Sequence, residues 1–193
     1  MKKLLLLNAC MNRKTSRTYR LCKELITLLN KDNGFEITEL ILEELNLQAL
    51  TSETLNIRGE LLKKGDLSDE SFKYARQFSN ADYIVVAAPL WDCGFPGIFK
   101  NYVEAISIPG IVSLYEGNGK PTGLCKAEKL YYVTTRGGSN IGDEKDLGFA
   151  TILGLCKFFG IKDVRCISAE GLDDVDKVEY IMQKAIEAIP AKL

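Results

Sequence analysis

The chain has 193 residues, 46% hydrophobic and 26% charged, with a net charge of −1 at neutral pH. That is enough for one domain with a full core and short for two, and near-neutrality leaves no electrostatic footprint for nucleic acid or an anionic membrane. Histidine is absent, which removes Ser-His and Cys-His triads, His-ligated metals and imidazole relays.

Residues 1–10, Met-Lys-Lys-Leu-Leu-Leu-Leu-Asn-Ala-Cys, imitate a lipoprotein signal. Four leucines fall short of the roughly 7–15 apolar residues such a segment needs, and no stretch reaches membrane-spanning length. The run reads instead as a first buried strand, residues 2–8. Ala9, Cys10, Met11, Asn12, Arg13, Lys14, Thr15, Ser16, Arg17 and Thr18 follow, and the first carboxylate comes only at Glu24. Helix N-termini favour acidic residues; hydroxyls and cations in their place suit an anion held by free N–H groups. The segment has no glycine, so it is neither a Walker loop nor a dinucleotide turn, and the ligand it suits is a single phosphate. The plain alternative is that Ser16 is an ordinary N-cap beside solvated cations. Cys22, Leu25, Ile26 and Leu29 then form one helical stripe that Gly34 breaks.

A second strand is predicted over residues 36–42, followed by an excursion over 43–65. Ser68 suits the N-cap of the next helix, with Leu67 and Phe72 placed as a hydrophobic staple. Residues 82–88 form an apolar, β-branched run of the kind buried on both faces of a sheet. Pro89, Leu90, Trp91, Asp92, Cys93 and Gly94 then read as a stiff loop rather than a tight hairpin, and Pro96 suits the first turn of a helix over 96–107. Ligands sit at this edge of open α/β sheets. A tryptophan, an acid and a thiol there point to a flat aromatic guest rather than a metal.

Residues 109–126, with Tyr115, Gly117, Asn118, Gly119, Pro121 and Gly123, form a loop too long for a plain connection. A fourth strand covers 129–135 and leads into Arg136, Gly137, Gly138, Ser139, Asn140, Ile141 and Gly142. The paired glycines permit positive φ and close backbone approach to a flat ligand. A helix over 149–159 closed by Gly160, a strand over 163–168 and a helix over 175–189 complete the chain, with Val178, Ile181, Met182, Ala185 and Ile189 on one face of the last.

Six cysteines stand at positions 10, 22, 93, 125, 156 and 166 without a Cys-x-x-Cys pair, so no zinc knuckle or thioredoxin motif is present. They read as reduced thiols of a cytoplasmic protein, with Cys22, Cys156 and Cys166 as small core residues. Alternating strands and helices predict one domain over 1–193, a parallel sheet covered on both faces. In a 2-1-3-4-5 order, the loops after the first, third and fourth strands meet at one crevice. A phosphate loop and two loops framing an aromatic ring suit flavin mononucleotide, FMN.

Ala88-Pro89-Leu90-Trp91-Asp92 with Phe99-Lys100-Asn101-Tyr102, Gly110-Ile111-Val112 leading to Tyr115, and Thr134-Thr135-Arg136-Gly137-Gly138 resemble the FMN-dependent NADH:quinone oxidoreductase and azoreductase family. Gly160-Ile161-Lys162-Asp163-Val164 and Ala169-Glu170-Gly171 extend the likeness over nearly the whole chain. The resemblance implies a flavodoxin-like three-layer sandwich and a homodimer with FMN at the subunit interface. It also implies ping-pong reduction of quinones or azo compounds by NADH or NADPH, with a small planar aromatic substrate. Carried over by position, Cys10, Ser16, Arg17 and Thr18 hold the phosphate. The ring lies against Pro89, Leu90, Trp91, Asp92 and Cys93 on one side and Thr135, Arg136, Gly137 and Gly138 on the other. The chain departs from the family pattern where Cys10 replaces a serine, where Trp91-Asp92-Cys93 replaces Tyr-Asn-Phe, and at Ser113, where a phenylalanine is common. Cys93 reads as a space-filling residue beside the ring, with a redox thiol as the sharper alternative. Tyr115 is a candidate wall of the partner's site. The rival readings are a flavodoxin-type electron carrier or flavin sensor, against which near-neutrality counts, and a free-flavin reductase.

Overall fold

The computed structural model describes residues 1–115, 119–139, 143–144 and 146–193. Its strands are β1 (Lys3–Asn8), β2 (Glu36–Ile41), β3 (Tyr83–Ala87), β4 (Ser113–Tyr115), β5 (Pro121–Gly123), β6 (Lys129–Thr135) and β7 (Asp163–Ala169). Its helices are α1 (Arg17–Asn33), α2 (Ser52–Lys64), α3 (Lys73–Asn80), α4 (Gly97–Ile106), α5 (Leu147–Phe159) and α6 (Val178–Glu187). The main sheet runs β2-β1-β3-β6-β7 and all its pairings are parallel. With the small antiparallel β4–β5 hairpin set aside, this is the predicted 2-1-3-4-5 order.

The strand pleat divides the core in two. Leu5, Leu7, Ile84, Val86, Leu130 and Tyr132 face one way and meet Ala75 and Phe78 of α3, Phe99, Tyr102 and Val103 of α4, and Ile152 and Cys156 of α5. Leu4, Leu6, Val85, Ala87, Tyr131, Val133 and Ile167 face the other way, onto Leu21, Cys22 and Leu25 of α1 and Met182 of α6. Each fully buried aliphatic side chain stabilises the fold by about 1.5–3 kcal/mol, so strands apolar on both faces tie both helical layers to one sheet. The order reverses between β1 and β3, the point beyond whose carboxyl ends open α/β sheets place their ligands.

Four local expectations are corrected. Residues 43–65 are not a featureless excursion: a 3₁₀ turn, Leu42–Leu45, leads into α2, whose capping box uses Thr51 and Thr54. None of the residues of α2 is fully buried; Leu61 and Leu62 only rest against the core, so its apolar face is short and weak as a signal. Ser68 is not the cap. Its hydroxyl donates to Asp66, while Asp69 accepts from Ser71 N and the chain enters α3 through a 3₁₀ turn. Pro96 stands one residue before α4, at the N-cap rather than in the first turn. The long loop carries the β4–β5 hairpin, and its Gly117 and Asn118 lie outside the described residues. Among the described residues no helix is long and apolar enough to cross a membrane.

Candidate functional site

The loop after β1 is anchored by a residue whose role sequence reading missed. Buried Asn8 accepts from Cys10 N at 2.9 Å and donates to Glu39 Oε1 at 2.7 Å, which holds its amide in one orientation. Asn12 takes a left-handed conformation, φ 48°, to turn the chain toward α1. Ser16 caps the helix, accepting from Tyr19 N at 3.1 Å, and the first turn has no acidic residue. The N–H groups of Arg17 and Thr18 meet no acceptor among the described residues. Arg17 Nη1 donates to the Leu172 carbonyl at 3.0 Å. Cys10 is turned inward: its thiol donates to the Ala87 carbonyl at 3.5 Å, and burial pushes its pKa up to about 11.

The segment after β3 overturns the reading of a stiff loop. Trp91 N donates to Gly94 O at 3.2 Å and Gly94 N to Trp91 O at 2.8 Å, with φ 50° at Asp92 and 63° at Cys93. Positive φ at both central residues makes a type I′ turn, the tight two-residue hairpin. Aspartate tolerates the left-handed region; a cysteine held there costs about 1–3 kcal/mol. The hairpin exposes the chain's one tryptophan, 47% accessible, together with Cys93.

The loop after β6 is held from the opposite flank by the segment after β7. Arg136 N donates to Ala169 O at 3.0 Å, and the N–H groups of Leu172, Asp173 and Gly171 reach the carbonyls of Arg136, Gly137 and Gly138 at 3.2, 3.2 and 3.0 Å. Neither Gly137 nor Gly138 uses positive φ, contrary to expectation. A Cβ at Gly137 would stand 2.2 Å from Asp173 Oδ1, so a side chain there would have to displace the Asp173 carboxylate. The Arg136 side chain is turned into the protein, 3.1 Å from Asp146, both side chains 1% exposed. Asn140, Ile141 and Gly142 lie outside the described residues.

The three segments are joined at Thr135. Its hydroxyl shares a buried 2.6 Å hydrogen bond with Thr18, and its carbonyl accepts from Leu90 N at 3.1 Å. Ala9 N reaches the Ala87 carbonyl at 2.9 Å. Thr18, Leu90 and Thr135 thus meet at one sheet edge, and the buried Cys10 thiol interacts with Ser16, whereas the Arg136 guanidinium is turned into the protein against Asp146. Asp146, Gly148 and Asp173 were missed because their partners are distant in sequence. Asp146 left one signal, an acidic residue three positions before Phe149, whose N–H it caps at 3.1 Å.

Fold and site together define an open-sheet α/β protein whose three loops leave the sheet at its topological switch point. The profile of a family described as having a flavodoxin-like fold matches residues 2–193. An FMN-dependent NADH:quinone oxidoreductase of Clostridium perfringens is 33% identical over 184 residues, 91% of each chain. FMN-dependent NADH:quinone oxidoreductase 2 of Clostridium acetobutylicum is 35% identical over 181 residues, 89% of this chain and 88% of the relative. The chain belongs to this flavodoxin-like family of FMN-dependent NADH:quinone oxidoreductases. In structure it is similar to an azoreductase from Bacillus anthracis, with a TM-score of 0.86 and 21% identity over 98% of this chain and 97% of that one. An FMN-dependent NADH-azoreductase from the same species, in complex with FMN, has a TM-score of 0.81 and 19% identity over 99% of each chain.

Proposed function

We propose that this chain, a single domain over residues 1–193, is a cytoplasmic FMN-dependent oxidoreductase that uses NADH or NADPH to reduce quinones, azo compounds or both. The observation that carries the reading is the meeting of three loops on Thr135, through Thr18 at 2.6 Å and Leu90 at 3.1 Å. The residues present fit a flavin mononucleotide. Unengaged N–H groups at an acid-free helix start suit one phosphate, and the half-exposed Trp91 hairpin suits a flat ring. Bound FMN supplies the redox chemistry, a ping-pong transfer of two electrons through N5 to a planar acceptor.

The chain's own residues bind and orient. Ser16, Arg17 and Thr18 hold the phosphate by main-chain N–H groups and hydroxyls, with Cys10 as the apolar floor of the loop. Pro89, Leu90, Trp91, Asp92 and Cys93 present the hairpin to one side of the ring; Thr135, Arg136, Gly137 and Gly138 present main chain to the other. Asp92 sets a carboxylate beside the ring, and a fixed anion opposes the negative charge that reduction brings. A second copy of the chain completes the site. Its support is the outward face of α5, where Leu147 and Leu153 stay 55% and 44% exposed, and the exposed Trp91 and Tyr115.

Purified protein is expected to be yellow, and to oxidise NADH when menadione or an azo dye is supplied. A colourless preparation that oxidises no NADH or NADPH even with added FMN overturns the proposal.

A further inference from the structure

The first turn of α5 belongs to none of the three loops, yet it touches two of them. A methyl group at Gly148 would stand 3.2 Å from the Gly94 carbonyl oxygen, 3.2 Å from Leu90 Cδ1 and 3.0 Å from the Tyr132 hydroxyl. The base of the Trp91 hairpin therefore rests on the bare backbone of the helix. Two residues earlier, Asp146 caps Phe149 N at 3.1 Å and meets the Arg136 guanidinium at 3.1 Å, sealed from solvent. The Arg136 nitrogens make no directional hydrogen bond with a described residue, so Asp146 is their ionic partner here. Phe149 stacks on Tyr132 with centroids 6.3 Å apart and planes 10° apart, fixing the helix to β6.

We propose that Asp146 and Gly148 are positioning residues: the first turn of α5 is a brace that sets the gap between the Trp91 hairpin and the glycine loop. Each contact acts on one side of that gap, Gly148 on Leu90 and Gly94, Asp146 on Arg136. The hairpin needs such a support because its turn residues are strained, and a strained segment keeps its shape only where its surroundings hold it. A side chain at position 148 pushes the hairpin outward by a few tenths of an ångström, widening a slot whose ligand is planar and rigid. The assignment of that ligand as FMN rests on the reading above; the geometry of the brace does not.

The test compares wild type with Gly148→Ala and Asp146→Asn. Asparagine caps a helix as well as aspartate does, so the second change removes charge and keeps the cap. Should it fail to fold with Arg136 unpaired, Arg136→Met combined with Asp146→Asn removes both charges. Trp91 is the chain's one tryptophan, so acrylamide quenching of its emission reports the hairpin without any flavin. Gly148→Ala is expected to raise the quenching constant, weaken FMN binding by about tenfold or more, as small displacements of positioning groups do, and leave the Tm of the flavin-free protein unchanged or higher, since alanine favours the helix. Asp146→Asn or the double variant is expected to weaken FMN binding with Trp91 quenching unchanged, because it acts on the other side of the gap. Quenching and FMN affinity that stay at the wild-type values in Gly148→Ala overturn the brace, whether or not Tm falls. Wild-type protein that binds no FMN overturns the functional reading, and Trp91 quenching in Gly148→Ala then decides the brace by itself.

Discussion

The loop after β1 and the hairpin after β3 leave the same sheet edge and are built in opposite ways. The first is held from within. Asn8 fixes Cys10 N, Ser16 caps α1, and Thr18 reaches across to Thr135, each by a hydrogen bond of 2.6–3.1 Å. The second is held from outside. Its turn places Asp92 and Cys93 at positive φ, and its position depends on Thr135, behind Leu90, and on Gly148, beneath Gly94. If FMN binds as proposed, its affinity is expected to depend chiefly on the first region, and the energetics of the bound ring on the second.

Substitutions that respect this division break or sharpen it. The largest effect is expected from Thr18→Val, which leaves the buried Thr135 hydroxyl without its partner. A lost buried hydrogen bond of this kind costs about 1–3 kcal/mol, read as a lower denaturant midpoint together with weaker FMN binding. If FMN affinity is unchanged, the anchor lies elsewhere. Next comes alkaline stability. The Cys10 thiol is raised from 9.0 to about 11 by burial, so the folded state keeps it protonated where the unfolded chain ionises. Its contribution is full below pH 9 and is lost as pH rises from 9 to about 11, at most about 3 kcal/mol. Urea titrations across that window are expected to show a shallower decline in Cys10→Ala than in wild type; parallel curves contradict it.

Asp92→Asn tests the platform. Asparagine tolerates the left-handed region as aspartate does, so the turn survives while the charge goes. The flavin midpoint potential is expected to rise by about 20 mV, the equivalent of about 1 kcal/mol for a two-electron couple. An unchanged potential in spectroelectrochemical titration removes Asp92 from the ring's surroundings. The smallest effect belongs to Cys93→Gly. Glycine relieves the backbone strain but gains freedom when unfolded, so thermal stability is expected to move by less than about 1 kcal/mol. A loss well beyond that shows that the thiol packs against something the turn geometry does not explain.

Much of the fold was legible because burial on both faces writes itself into sequence. β1, β3 and β6 are apolar runs bounded by turn residues, and α1 and α5 end at Gly34 and Gly160, both left-handed C-caps. Helix α2 was illegible since it fully buries none of its residues. Of the candidate site, the Ser16 cap and the acid-free first turn of α1 were readable, because hydroxyls, cations and missing acids are a local pattern. The hairpin was misread because Asp-Cys is not the Asn-Gly or Asp-Gly pair that advertises a type I′ turn. Its base lies close to Gly148, more than fifty residues along the chain, a neighbour that no local pattern shows. Gly137 does not use the positive φ that glycine permits, and the Asp173 carboxylate beside it leaves no mark in the local sequence. Arg136, placed by the resemblance beside the ring, has its guanidinium turned into the protein against Asp146.

One titration tests the central claim, that three loops joined at Thr135 form a single FMN site. FMN is added to flavin-free protein while the emission of Trp91 is followed, in wild type and in Thr18→Val. The account predicts saturable quenching of Trp91 at one FMN per chain, and a weaker dissociation constant in the variant although Trp91 and Thr18 belong to different loops. Bound FMN that leaves Trp91 emission unchanged, or an affinity identical in the two proteins, would contradict it.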